Sequence, residues 1–495
     1  MEELEKTLDK IAERGKRLTV DAVEFIRTLE PKINIKELLE KVAEQTEDVF
    51  LTTNDVVEAL EKIKESQPPE ELTPSAKTFR PEARSIESKI EVLFDPGKKI
   101  APKIMIKDFI SLFRSRYKKE VLILKRRLGL KAFDSIDDAL MMRKGEASLT
   151  VGLVAKKRAS RRGIWIEIED LESKIPFFVS TRNPQTYEKA KLVPMDSVIA
   201  VRVRKVGEDF NISEEIYLPE VESHEPSRSE EEVYAVLTSD LHIGSKFFLR
   251  ELFHRFVLWL KGSYGNEELK DIASRVKYIV VAGDLVDGVG IYPNQEMEQE
   301  EFKVRKQYQS AIKLFEQIPD HVNIIILPGN HDATRRALPQ PPILREYAEE
   351  LWEMERCVMT GNPVNLRLHN VNVYVFHGRS LDDCMAMMPR TQKNNVSEAM
   401  KILLRVRHIA PTYGLHTRIS PQETDDLIIP TVPDIMHAGH LHINDQTRYK
   451  NTFIVNSGAW QDQTNYQKEK GIVPTPGIVP VVNLATLRCK LIKFV

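Results

Sequence analysis

Apolar positions change their spacing several times along the chain, and each change marks an element. Over residues 1–63 they recur at helical intervals: Val20, Val23, Phe25 and Ile26 after Thr19, Ile35, Leu38, Leu39 and Val42 after Asn34, then Val56, Val57, Leu60 and Ile63. That pattern predicts a small helical module. Residues 64–85 are rich in proline and charge and poor in large apolar side chains, the composition of a flexible linker. Residues 86–145 read as a helical segment packing on the element that follows. Within it, 108–131 carry Phe109, Leu112, Phe113, Tyr117, Val121 and Leu124 on one helical face, with lysines and arginines on a solvated one. From 146 to 220 the period becomes two. Strand-like runs at 149–155, 164–168, 175–179, 198–203 and 211–217, with a short helix near 187–190, predict a small OB-type β-barrel. From 232 to 495 short apolar strands alternate with helical stretches, one of them long (295–317), which is an α/β layout.

The chemistry-bearing residues gather at the ends of strands in this last region. One apolar run, 233–239, leads into Asp240 and His242, and a second, 278–282, into Gly283 and Asp284. A third, 323–327, leads into Asn330, His331 and Asp332, a fourth, 373–376, into His377, and Ile435–Met436 into His437, His440 and His442. Residues i and i+2 of an extended chain point the same way, so Asp240 with His242, and His440 with His442, each face one spot. Ligands of open α/β sheets sit beyond the carboxyl ends of the strands. Carboxylate, amide and imidazole donors together suit Mn²⁺, Fe, Zn²⁺ or Mg²⁺, and there are enough of them for two ions.

Composition narrows the partners. Lysine plus arginine total 72 against 74 acids over 495 residues, a formal charge of −2, so nucleic-acid contact has to come from local patches, cations or a partner chain. One such patch is the hairpin tip with Lys156, Lys157, Arg158, Arg161 and Arg162, followed by Trp165. Arg335 and Arg336, just after the third strand-end motif, are further candidates for phosphate contact. Three dispersed cysteines form no metal or disulfide pattern, the acidic N-terminus is unlike a secretory leader, and no apolar run approaches the roughly 18 residues of a membrane span. The expectation is a reducing, cytoplasmic setting at the nucleoid.

D-x-H at Asp240 and His242, G-D-x-x-D at Asp284 and Asp287, G-N-H-D ending in Asp332, a later His377, and G-H-x-H at His440 and His442 resemble the calcineurin-type metallophosphoesterase superfamily. The resemblance implies a two-sheet sandwich flanked by helices and a dinuclear centre. Asp240, His242, Asp284 and His442 would surround one cation and Asp284, Asn330, His377 and His440 the other, with Asp284 bridging. Mn²⁺ is the first expectation for both ions. The sequence ATRRALPQPP over 333–342, HGRSLDD from His377 and NSGAWQDQT from Asn456 narrow the likeness. With the layout of helical module, linker, barrel and phosphoesterase domain, they resemble the exonuclease small subunits of archaeal family D DNA polymerases. Specific motifs cover residues 233–495, and before them only the architecture matches. That implies a proofreading 3′→5′ exonuclease acting on DNA 3′ ends, His331 as proton donor with Asp332 orienting its ring, a large catalytic partner subunit, and a sliding clamp reached through the holoenzyme. A non-catalytic scaffold for the large subunit and a stand-alone metallophosphodiesterase are the alternatives.

Overall fold

Short all-apolar runs become the central strands of two six-stranded sheets in the computed structural model. It describes residues 15–19, 38–39, 42, 50–51, 56, 79–99, 105–208, 210–389 and 395–495, and divides the chain into units Met1–Thr78 and Phe79–Val495. In the first unit Arg17–Leu18 pairs in parallel with Phe50–Leu51, and Leu38, Leu39, Val42 and Val56 are helical and buried. The remainder of the expected helical module, and linker residues 64–78, lie outside the described residues.

In the second unit one sheet runs in the order Cys357–Met359, Asn323–Leu327, Val276–Ala282, Tyr234–Thr238, Ile478–Asn483, Cys489–Lys493. The other runs Asp445–Tyr449, Thr452–Asn456, Ile435–Ala438, Val371–Val375, Val364–Leu368, Ile90–Phe94. Their inner faces meet in one apolar cluster that joins Leu237, Val280 and Ile325 to Leu366, Val373 and Val455. Helices Arg250–Leu260 and Val304–Phe315 cover the outer face of the first sheet, and helix Val396–Val406 that of the second. Strands buried on both faces are apolar at most positions, which is why they read as near-continuous runs rather than alternations. Tyr234–Thr238, Val276–Ala282 and Asn323–Leu327 are parallel neighbours, as are Val371–Val375, Ile435–Ala438 and Thr452–Asn456. The loops after the three strands of the first sheet and the first two of the second bring their polar residues to one place.

Five strands at Ala147–Ser160, Gly163–Glu169, Lys174–Ser180, Val198–Lys205 and Asn211–Tyr217 close into a barrel around its own core, with helix Pro184–Lys191 after the third. Two expectations differ here. Segment 86–145 begins with a strand, Ile90–Phe94, that pairs with Val364–Leu368 at the sheet edge. Ile90, Val92, Leu93 and Phe94 around Glu91 make an apolar run too short and too irregular to stand out as a strand. The long helix over 295–317 is instead a 3₁₀ turn, Gln295–Met297, then irregular chain, then Val304–Phe315. The side chains of Gln295 and Gln299 are spent on the Asp287–Gly288 loop.

Helix Ile106–Leu128 ends at Gly129, whose φ of 66° suits a left-handed cap. Its polar face is not wholly solvated: Arg116 and Glu120 are buried between Leu112 and Leu124 at i+4 steps. Arg116 Nε donates to Asp425 Oδ2 at 2.7 Å, and its Nη1 donates to the carbonyl of Asp196 at 2.9 Å and to that of Pro411. His408 completes the network: its Nδ1 accepts from the Ala410 N–H, which leaves Nε2–H to donate to Asp425 at 3.0 Å. Burial, aided by Arg116, lowers the His408 pKa to about 4. A base depressed below its usual 6.5 contributes stability that is complete above 6.5 and is lost as pH falls toward 4. The expected loss is about 1.4 kcal/mol per pH unit from this group, measurable as the drop in urea midpoint across that window.

Candidate metal centre

Seven expected ligands converge where the two sheets present their strand ends. Donor atoms of Asp240, His242 and His442 lie within 4.8 Å of one another, as do those of Asp284, His377 and His440. Asn330 Oδ1 sits 3.0 Å from His377 Nε2. Asp284 Oδ2 stands between the groups, 3.2 Å from His377 Nε2 and 3.8 Å from His242 Nε2. The backbone is bent to this purpose. Asp240, His242, Asp284, His440 and His442 all have positive φ, 51° to 71°, a region costly for residues other than glycine and concentrated at functional sites. Glycine is needed where chains cross: a Cβ at Gly283 would lie 2.6 Å from His377 Nδ1, and one at Gly439 would lie 2.5 Å from Asp240 Oδ2.

Each imidazole is oriented by a group behind it. The carbonyl of Ala282 accepts from His377 Nδ1 at 2.9 Å, so Nε2 is the nitrogen turned toward the cluster. Asp287 Oδ1 lies 3.2 Å from His242 Nδ1, Gln467 2.9 Å from His442 Nδ1, and Asp382 Oδ2 3.0 Å from His440 Nε2. Such backing fixes tautomer and direction in metal-ligating histidines. Burial drives the Asp284 carboxyl upward, but His377, His331 and His242 outweigh it and hold the group well below the carboxylate range. Burial lowers His377, and the Asp284 carboxylate reverses this to about 9.

The donor set fits divalent cations on two observations. Asp240 Oδ1 is fully buried with no hydrogen-bond partner, an expensive state for a carboxylate oxygen without a positive neighbour. His242 Nε2 and His442 Nε2 face each other at 3.1 Å inside the same group, an arrangement that a shared cation would satisfy. Around them opens a cavity of about 290 Å³, whose walls also include Tyr292, Arg379, Asp382 and Tyr466.

Other expected residues fall differently. His331 lines the cavity, its Nε2 3.9 Å from Asp284 Oδ2, and its ring is held by the carbonyl of Asp287 at 2.7 Å. Asp332 makes no bond to that ring. It is buried and accepts from the N–H groups of Gly329 and Leu285 and from the Tyr308 hydroxyl, bracing two ligand loops. Arg336 is exposed at the rim, whereas Arg335 is half-buried and donates to the carbonyl of Pro339 at 2.5 Å, away from the cavity. In the barrel, Lys157 is spent on the carbonyls of Lys191 and Val193, and burial lowers its pKa to about 8. Lys156 pairs with Glu167, while Arg158, Arg161 and Arg162 are exposed. Sequence reasoning passed over Asp382, Arg379, Gln467 and His416. The first two sit inside the HGRSLDD stretch; the others carry no local signal.

A family model for the B-type subunits of DNA polymerases alpha and epsilon matches residues 235–445. A DNA polymerase II small subunit from Pyrococcus furiosus is 38% identical over 387 residues, which are 78% of this chain and 63% of that one. One from Methanothermobacter thermautotrophicus is 35% identical over 497 residues, covering 99% of this chain and all of that one. The chain thus spans less than two thirds of the length of the Pyrococcus furiosus relative and the whole of the methanogen one. Among solved structures, a novel archaeal phosphodiesterase overlaps 52% of this chain and 99% of its own at a TM-score of 0.26 and 13% identity, too slight a likeness to bear on fold or chemistry.

Proposed function

This chain belongs to the family of archaeal DNA polymerase II small subunits, the small subunits of family D polymerase, and from that premise we propose that it is a metal-dependent 3′→5′ exonuclease that proofreads DNA 3′ ends. We also assign it a large catalytic partner chain, a sliding clamp reached through their assembly, and an OB-type identity for the barrel. The observation that carries the catalytic reading is the orphaned Asp240 Oδ1 inside a complete O/N donor set. Buried partnerless carboxylate oxygens occur elsewhere, at Asp95 and Glu120, but that of Asp240 lies among imidazole donors that a scaffold has no need to gather.

Asp240, His242, Asp284 and His442 would hold one cation and Asp284, Asn330, His377 and His440 the other, Mn²⁺ first and Mg²⁺, Fe or Zn²⁺ by the same ligand chemistry. When bound, the pair supplies positive charge to the phosphoryl oxygens and lowers the pKa of an attacking water. Residues of the chain do the rest. His331 Nδ1 must carry its hydrogen to bond the Asp287 carbonyl, so Nε2 faces the reaction. Because burial lowers the ring's pKa to about 4, Nε2 first takes a proton from the attacking water and then returns it to the departing 3′ oxygen. Asp287 serves twice, positioning His331 through its carbonyl and His242 through its carboxylate. Asp332 ties the Gly329 turn to the Leu285 loop and so keeps Asn330 and Asp284 in register.

The test is release of nucleoside monophosphates from 3′-labelled DNA by the purified chain with its co-purified partner, in Mn²⁺ and in EDTA. Mn²⁺-dependent release is expected. None from a folded, Mn²⁺-loaded protein would leave the scaffold role. His331→Ala should retain its Mn²⁺ content while the rate falls roughly 10²–10⁴-fold, and a rate equal to wild type would remove His331 from the mechanism.

A further inference from the structure

Beside the metal centre lies a second cavity, of about 210 Å³, lined by Ile291, Asn330, Arg336, Arg379, His416 and Arg418. It shares Ile291, Asn330 and Arg379 with the first. The two differ in the sign of their charge. The first is lined by Asp284, Asp287 and Asp382 among imidazoles, whereas no carboxylate lines the second. Arginines elsewhere, such as Arg204, Arg275, Arg345 and Arg367, rest on carboxylates. Arg336, Arg379 and Arg418 have no such partner among the described residues; Arg336 reaches only the Gly290 carbonyl, at 3.3 Å. In a chain with two more acids than bases, three guanidinium groups without an ion-pair partner line one hollow; Asp382 acts on Arg379 and His416 only through space, and Asp383 is taken up by His416.

We infer that this arginine cleft holds the backbone phosphates of the nucleotides that follow the terminal one in a single strand of nucleic acid. The inference rests on the hydrolytic reading of the adjoining centre. A guanidinium presents paired N–H donors that match two phosphate oxygens, a geometry a compact ammonium lacks. A polynucleotide is the ligand that needs both walls: one phosphate at the cation-binding donors and its neighbours along Arg379, Arg336 and Arg418. In the wall of the first cavity, the rings of Tyr292 and Tyr466 lie 5.6 Å apart at 34°, and Tyr466 is exposed, offering a flat face to the terminal base. A small phosphodiester reaches only the first wall. The cleft is therefore what selects a strand over a small phosphodiester.

The test is binding of a fluorescent phosphorothioate oligodeoxythymidylate, resistant to cleavage, to the full chain in Mn²⁺ over a range of salt. Arg336→Ala/Arg418→Ala should raise Kd about tenfold and flatten the slope of log Kd against log salt by about 0.7 for each phosphate no longer held. Both side chains are exposed, and Arg336→Lys/Arg418→Lys should recover most of the salt slope but less of the affinity. Wild-type Kd and slope in the alanine variant would overturn the inference. So would loss of the partner chain without loss of DNA, the result expected if an acidic protein segment fills the cleft. The two readings fail separately, because this assay needs no cleavage and the monophosphate assay needs no arginine.

Discussion

Asp284→Ala is expected to abolish hydrolysis and to release bound Mn²⁺ together. Asp284 Oδ2 lies near both imidazole groups, 3.2 Å from His377 and 3.8 Å from His242, and Oδ1 accepts the His331 N–H at 2.8 Å. Removing it takes away the proposed shared ligand, the carboxylate that raises the His377 pKa, and the anchor of the loop bearing His331. Lewis-acid activation contributes several kcal/mol of barrier, so its loss lowers the rate by roughly 10³-fold or more. Metal analysis after desalting should find Mn²⁺ near background, and the rise in Tm on adding Mn²⁺ should vanish. Full occupancy with a slow enzyme would show that Asp284 does not bridge. Asp284→Asn is a sharper probe, since it keeps the shape and removes the charge.

Much of this centre was readable because the fold turns sequence order into position. Parallel strands that end at one edge make the residues after each strand neighbours, and i, i+2 pairs such as Asp240 with His242 need only an extended chain to face one way. What was not readable depends on contacts between distant loops. The Asp287 carbonyl, not the adjacent Asp332 carboxylate, holds His331, and backbone acceptors leave no mark in a sequence. Asp332 looked catalytic because it adjoins His331, yet neighbouring residues in a tight turn point apart. His416 and Arg418 reach the adjoining cleft from a loop far along the chain with no motif of its own. In the barrel, the period-two signal gave the strands, but the Lys157 side chain could not be told from its exposed neighbours until the carbonyls of Lys191 and Val193 were seen beneath it. Helix Ile106–Leu128 misled for the opposite reason: charges on a face normally mean water, and here Arg116 and Glu120 occupy the buried stripe.

That stripe yields the largest expected change in stability. Asp425→Ala should cost about 3–5 kcal/mol, the usual result of leaving one member of a buried ion pair uncompensated. Arg116 and Asp425 are both fully buried, and Arg116 also donates to Asp196 in the loop before the barrel strand Val198–Lys205 and to Pro411 in the loop after helix Val396–Val406. Without the carboxylate, the guanidinium charge keeps two carbonyls but no counter-charge. The neighbouring Glu120 gives little relief, because burial raises its pKa to about 8 and leaves it protonated at neutral pH. Arg116→Met should be milder, because His408 stands 3.0 Å from Asp425 and can take up a proton once the competing positive charge is gone. Its depressed pKa would then rise, so the penalty of Arg116→Met should shrink as pH falls below 6.5 while that of Asp425→Ala should not. Urea midpoints for the two variants, compared at neutral and mildly acid pH, test this asymmetry. Equal penalties at both pH values would mean that His408 does not share the Asp425 charge.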